Sequence, residues 1–261
     1  MPTKKQEIQI EIPKPQFVAI DLCLISRSPF LCERMSEKAK RDLLMPSGRK
    51  TEAEKTLSMK HEHPHVEFRN SAYTLPDSQP TLLGVKAASV KRAMVAAASD
   101  VTGVAKTALG RLVWTDAQYG DLISLYGVPR LKMDVVRMAN IARTPDIRTW
   151  ACVPEWAVSF RVNFLEPQLT YPSVLNLLTM AGATVGIGGG RPEKGKLSFG
   201  QFEVVDPDNE EFQRIVAEGS YAQQRAAFDD PMPYDEETAD LLKWFEDELA
   251  RRGRRLTKVA A

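Results

Sequence analysis

Residues 182–205, GATVGIGGGRPEKGKLSFGQFEVV, constrain this chain more than any other stretch, because seven of its fifteen glycines fall between Gly182 and Gly200. Connections between elements are usually short, and this one is both long and glycine-dense. Glycine lacks Cβ and opens positive φ, so the backbone of such a run can come very close to another group. Arg191, Lys194 and Lys196 stand in the same loop, and backbone amides beside cations suit an anion. The stretch is not the phosphate loop of nucleotide hydrolases, since no Gly-Lys-Ser/Thr follows and it leads into a strand. Nor is it a dinucleotide fingerprint, whose glycines lie between a strand and a helix. The expected guest is a polyanionic backbone. The competing reading is a surface hairpin that binds nothing.

The remaining composition bounds the setting. At 261 residues, with 43% hydrophobic and 26% charged residues, the chain reads as one soluble globular domain with insertions. A net charge of +1 excludes a uniformly cationic coat but leaves room for a local basic groove. Cys23, Cys32 and Cys152 form no Cys-x-x-Cys, so neither a disulfide framework nor a zinc site is indicated, and a reducing cytoplasm is expected. The first residues lack the apolar core of a signal peptide and no apolar run reaches membrane-spanning length, which predicts no membrane association.

In chain order, Phe17–Ser26 is rich in β-favouring residues and closes on Ser-Pro, which predicts a buried strand. Ser36 is placed to cap a short charged helix ending before Pro46. Residues 46–65 are polar and without period, with Lys50, Lys55 and Lys60, and read as an insertion able to reach over a ligand. The cluster His61, Glu62, His63, Pro64, His65 holds every histidine. Pro64 speaks against a helix that would put two ligands on one face, so a solvated loop is expected there and no metal. Val66–Tyr73 then reads as a strand.

Val85–Ser99 is the clearest helix, with Val90, Ala93, Met94 and Ala97 on one face and Lys86, Lys91 and Arg92 around its early turns. Arg111–Thr115 and Asp121–Tyr126 read as strands joined through residues 117–120, and Lys132–Ile141 as a further extended piece. Arg130, Lys132, Arg137, Arg143 and Arg148, interleaved with Met133, Met138 and Trp150, suit either a core or a stacking surface for single strands. Trp156–Leu165 alternates strictly, with Trp156, Val158, Phe160, Val162 and Phe164 on one face. A helix over Thr170–Ala183 starts near Pro172 and ends on Gly182. Helices over 210–228 and 236–252 finish the chain, the last with a stripe of Leu241, Trp244, Phe245 and Leu249 and a basic tail beyond it.

Strand, helix, strand, then strand, helix, strand is the order of a ferredoxin-like fold. On these residues the chain resembles the RAMP superfamily of CRISPR-associated RNA-binding proteins, above all the repeated backbone subunit that coats guide RNA, and short phage proteins with such a domain. Three pieces carry the likeness: the strand ending Ser26, Arg27, Ser28, Pro29, Phe30, Leu31; the helix Val85–Ala97, with Ser89, Lys91 and Ala93 matching; and Gly182–Phe202, a glycine-rich loop ending in Gly-x-Phe. Lys86, Ala87 and Val95 replace the proline, glycine and arginine usual in that family's helix start.

The expected fold is therefore α+β: a ferredoxin-like (RRM-like) core sheet in residues 1–205, with insertions at about 27–84 and 127–150, and a C-terminal helical extension over 206–261. The resemblance implies a non-catalytic protein that binds single-stranded RNA, oligomerises head to tail along it and needs no cofactor. It places Ser89 and Lys91, then Gly188, Gly189, Gly190 and Arg191, at the ligand. Charge alone adds Lys194, Lys196, Lys132 and Arg137. The alternatives are a phage protein that binds or anneals single-stranded DNA, and a RAMP-type endoribonuclease, which calls for a histidine beside the glycine-rich loop.

Overall fold

The computed structural model describes residues 14–45, 48, 62–101, 103, 105–137, 145–194 and 197–251. Along the chain lie β1 (Gln16–Ser26), β2 (Phe30–Leu31), α1 (Glu37–Leu44), α2 (Pro64–Asn70), β3 (Tyr73–Thr74), β4 (Leu83–Lys86) and α3 (Ala87–Ala97). There follow α4 (Lys106–Leu112), β5 (Val113–Thr115), β6 (Leu122–Ser124), β7 (Arg130–Arg137), β8 (Pro145–Val153), β9 (Ala157–Glu166) and α5 (Tyr171–Met180). The last elements are β10 (Phe202–Val205), α6 (Glu210–Glu218), α7 (Tyr221–Asp229) and α8 (Glu236–Arg251). This is the mixed α+β class expected from the sequence, with open antiparallel sheets.

The largest sheet has the order β10-β1-β9-β5. β1 and β9 pair antiparallel from Gln16 opposite Glu166 to Ile25 opposite Ala157. Strand side chains alternate between faces, so Leu22 and Leu24 share one face with their partners Phe160 and Val158, continued by Val162 and Phe164. Val90 and Met94 of α3 and Val174 and Leu178 of α5 complete the core there. Each such side chain contributes about 1.5–3 kcal/mol by leaving water. On the opposite face Cys23, Ile25 and Ala157 are covered by Phe212 and Ile215 of α6.

Two three-stranded sheets, ordered β2-β8-β7 and β3-β4-β6, flank this one. Trp156, fully buried, joins the β2-β8-β7 sheet to it. Its ring nitrogen donates to the Ser28 carbonyl at 2.8 Å, its backbone N–H donates to Ser26 Oγ at 3.1 Å, and its ring meets Phe30 and Phe202 edge-on.

The C-terminal helices pack onto the same body. Phe228 of α7 and Leu242 of α8 belong to the main core cluster. Gln224, fully buried on α7, accepts from the Leu82 and Leu83 amides at 2.8 Å and offers its amide to the carbonyls of Leu125, Gly127 and Gly219 at 2.8–2.9 Å. On α8, Thr238, Leu242 and Leu249 face inward while Trp244 is 64% exposed, so the expected stripe is rotated. The Asp235 carboxylate caps α8 through Thr238 and pairs with Lys132 of β7.

Several local expectations are corrected. Val66–Tyr73 is not a strand: Pro64 occupies the first turn of α2, where its missing N–H costs nothing, and His63 Nδ1 accepts from the His65 amide at 3.2 Å as its cap. Arg111 and Leu112 belong to the last turn of α4, and only Val113–Thr115 are extended. β5 and β6 do not pair with each other; β5 joins β9, and β6 joins β4. The expected insertion at about 127–150 contains β7 and most of β8, which pair antiparallel. The helix over 210–228 is broken at Gly219, and α5 passes through a π turn over Ala181–Val185 that ends at Gly186 rather than Gly182.

Two measurements follow from these contacts. Gln224→Ala leaves two buried N–H groups and three carbonyls without this partner, and should cost about 3 kcal/mol or more, read as a lower urea midpoint. An unchanged midpoint would refute the role of Gln224 as a buried hub. His63 and His65 stand beside each other at the start of α2, and Phe245 of α8 packs on the His63 ring. Burial lowers the pKa of both, helped by His65 at His63 and by Arg69 at His65; Glu246 opposes at both and Asp230 at His65. An unfolded imidazole takes a proton near pH 6.5 while these resist it. Their contribution is complete above about pH 6.5 and is lost as the pH falls toward the lowered folded values. Stability should therefore drop between about pH 7 and pH 5.5, and the double variant His63→Asn/His65→Asn, which keeps a capping acceptor, should lose most of that dependence.

Candidate functional site

A groove of about 720 Å³ follows α3 between the glycine-rich loop and α4. From α3 it is lined by Ser89, Lys91, Arg92, Ala93, Val95 and Ala96, of which Ser89, Arg92, Ala93 and Ala96 share one helical face by their spacing. At the start of α3 stand Phe30, Cys32, Glu33, Tyr73, Gly84 and Lys86; towards its end stand Lys106 and Gly110 of α4. Val185, Gly186, Ile187, Gly188, Arg191, Glu193 and Lys194 close the other side. The floor is apolar, since Phe30, Val85, Ala93 and Ile187 are all buried.

Six cations line this groove, Lys86, Lys91, Arg92, Lys106, Arg191 and Lys194, against two carboxylates, Glu33 and Glu193. They are not equivalent. Lys86 lies 3.1 Å from Asp121 and 5.1 Å above the Tyr73 ring, and the hydrogen bond to Asp121 pushes its pKa up. Arg191 is a brace within the loop, donating to Glu193 at 2.9 Å and to the Gly188 carbonyl at 3.0 Å. Arg92 donates to the Ala88 carbonyl of its own helix at 3.2 Å. Among the described residues no carboxylate pairs with Lys91, Lys106 or Lys194.

The glycines of the loop serve the chain itself. Gly189 N–H donates to the Leu31 carbonyl at 2.9 Å, Ile187 N–H to the Gly200 carbonyl at 2.9 Å, and Gly200 N–H to the Pro29 carbonyl at 2.8 Å. Gly188 has φ +85°, and a Cβ there would lie 2.7 Å from the Phe30 ring and 3.0 Å from the Leu31 carbonyl oxygen. The loop is thus sewn to β2 and to Phe199–Gly200, forming a closed wall in which several amides are already bonded. The expectation that these amides cradle an anion is corrected for Gly189, whose N–H is used.

Of the residues singled out from the sequence, Ser89, Lys91, Gly188, Arg191 and Lys194 meet in this one groove. Gly189 and Gly190 support the loop behind it, the Gly190 carbonyl accepting from Phe199 N–H at 3.2 Å. Lys196 lies outside the described residues. Lys132 is not in the groove: its ammonium sits 3.1 Å from Asp235 and 3.7 Å from Asp134, over the Tyr234 ring, with its side chain 13% exposed. Burial alone would lower its pKa, but Asp235 and Asp134 outweigh that and raise it. Arg137 ends β7 opposite Pro145, also away from the groove. Met133 is buried in the core, so no stacking surface of the expected kind includes it. His63 and His65 belong to the α2–α8 contact, apart from the glycine-rich loop.

Lys106, Tyr73 and Glu33 are groove residues that the sequence reading missed. The one local hint was Gly110, four residues after Lys106, where a Cβ would stand 3.8 Å from Val95 of α3 and no closer to anything. The chain matches no family model and no curated protein.

The loop wall gives a paired test. Gly188→Ala should cost about 2 kcal/mol or more, since it adds left-handed strain to a collision with Phe30. Gly110→Ala, in a helix with free space, should be neutral or stabilise by about 0.5–1 kcal/mol. Equal urea midpoints for the two variants would show that the loop is not closed against β2.

Proposed function

We propose that the groove along α3 binds single-stranded nucleic acid, RNA by the resemblance of the sequence, and that the protein is a non-catalytic binding protein assembling head to tail along its ligand in a reducing cytoplasm. The observation that carries this reading is the group of three lysines, Lys91, Lys106 and Lys194, without carboxylate partners among the described residues, around a groove with an apolar floor. Cations spaced along a channel follow a phosphate backbone, and an apolar floor accepts base faces. The cleft on the other face of the large sheet is of opposite character, with Asp21, Asp116 and an Arg161 held bidentate by Asp21 at 2.8 Å. It offers a polyanion nothing.

Fold supports the same reading. The order β10-β1-β9-β5, with α3 between β1 and β5 in sequence and α5 between β9 and β10, matches the order of a ferredoxin-like β-α-β-β-α-β core. The family likeness rests on such a core. The three described cysteines are free and buried, as a reducing compartment allows. No helix among the described residues is long and apolar enough to cross a membrane.

Exchanging Lys91, Lys106 and Lys194 together for alanine should weaken binding of any single strand and flatten the slope of log K against log salt by about 2, at roughly 0.7 per phosphate contact. Lys243→Ala, at an exposed position of α8, should change neither. A slope unchanged in the triple variant would remove the groove from the binding site. For assembly, light scattering with and without a long single strand should show mass growing with strand length. A monomer in both conditions would leave a stand-alone binding protein.

A further inference from the structure

We propose that Glu33 makes this groove selective for guanine in the bound strand, an inference that rests on the single-strand reading above. The backbone on either side of Glu33 is hydrogen-bonded in place. Cys32 before it donates its N–H to the Ala151 carbonyl at 2.9 Å, and Arg34 after it donates to the Ser71 carbonyl at 2.7 Å. Its side chain lies against the backbone of Gly189, where an added Cβ would meet Glu33 Cβ at 3.0 Å and Oε2 at 3.1 Å. Among the described residues no cation pairs with Glu33, although six cations line the same groove. The other carboxylate, Glu193, is taken by Arg191 at 2.9 Å.

An unpaired carboxylate repels phosphate, so the backbone of the strand follows Lys91, Lys106 and Lys194, and what reaches Glu33 is a group with hydrogen-bond donors. Bases carry such donors. Guanine alone presents two side by side on its pairing edge, N1–H and N2–H₂, which a carboxylate accepts together, one per oxygen. Cytosine and adenine offer one amino group beside a ring acceptor that the carboxylate repels. Uracil offers one N–H flanked by two carbonyls. Tyr73 lines the same end of the groove and gives the base an aromatic neighbour, while Lys86, 5.1 Å from that ring and paired with Asp121, leaves Glu33 unneutralised.

The test is fluorescence anisotropy with the full chain and two labelled RNA strands of equal length, one all uracil and one carrying regularly spaced guanines. The native protein should prefer the guanine strand by about fivefold or more, the lower end of what one bidentate contact to a base discriminates. Glu33→Gln, which replaces one acceptor oxygen by a donor at an exposed position, should bring the ratio close to one with an unchanged melting temperature. Free guanosine monophosphate at matched base concentration should not displace the strand. Binding to neither strand would overturn the single-strand reading and this inference with it. Equal binding to both, or a preference that survives in Glu33→Gln, would overturn this inference alone, and displacement by the mononucleotide would show a nucleotide pocket instead of a strand site.

Discussion

The antiparallel ladder between β1 and β9 is the constraint on which the rest depends. Its register sets Leu22, Leu24, Val158, Phe160, Val162 and Phe164 on one face and Cys23, Ile25 and Ala157 on the other. A slip of one residue would exchange the faces, putting Asp21 and Arg161 where α3 and α5 now pack. Because the register is fixed, α3 lies on the helix side with Val90 and Met94 inward, and its spacing then leaves Ser89, Arg92 and Ala96 to face the groove. The polarity of the molecule follows: six cations line the groove beside α3, and the paired Asp21 and Arg161 lie on the face that α6 covers.

What could be read in the sequence is what local chemistry decides. β1 and β9 announce themselves by alternation, α3 by its apolar spacing and α1 by Ser36, whose Oγ accepts from the Ala39 amide at 3.2 Å. β8 was missed because its burial is irregular: Asp146 and Thr149 are buried polar residues, while Ile147 is 39% exposed. That strand exists because β7 and β2 pair with it on either side, a long-range fact with no linear signature. α2 was misread because Pro64 was weighed as a breaker, although at a first turn proline favours the helix. The stripe of Leu241, Trp244, Phe245 and Leu249 predicts Trp244 inward. The spacing of four and then seven residues that brings Thr238, Leu242 and Leu249 inward turns it to solvent.

The glycine-rich loop shows how a sequence signal can be sound while its object is different. Density of glycine does mean close approach of backbone. Here the group approached is mostly the chain itself: Phe30 and Leu31 against Gly188, and the Phe202 carbonyl against Gly182, where a Cβ would sit 2.1 Å from the oxygen. The consequence for the site is still favourable. A loop fixed by bonds from Gly189 to Leu31 and from Gly200 to Pro29 holds its side of the groove in one shape, so a ligand would not have to order it on binding.

Charge is where composition says least and placement says most. With 35 basic and 34 acidic side chains the totals nearly cancel, and several cations outside the groove are held in ion pairs. Lys132 is bound to Asp235 and Asp134 and Arg161 to Asp21, while Arg214 lies between Glu155 and Glu218. An ion pair presents a dipole, whose field fades faster than that of a single charge, so these residues attract a distant phosphate weakly. Among the described residues no carboxylate pairs with Lys91, Lys106 or Lys194, which line one channel, and unpaired charges act out to a screening length of about 8 Å at physiological salt. The same reasoning gives Glu33 its meaning. A carboxylate left open among such cations weakens the attraction for phosphate, and its retention there makes physical sense where the neighbouring ligand group is a donor, which a base edge is and a phosphate is not.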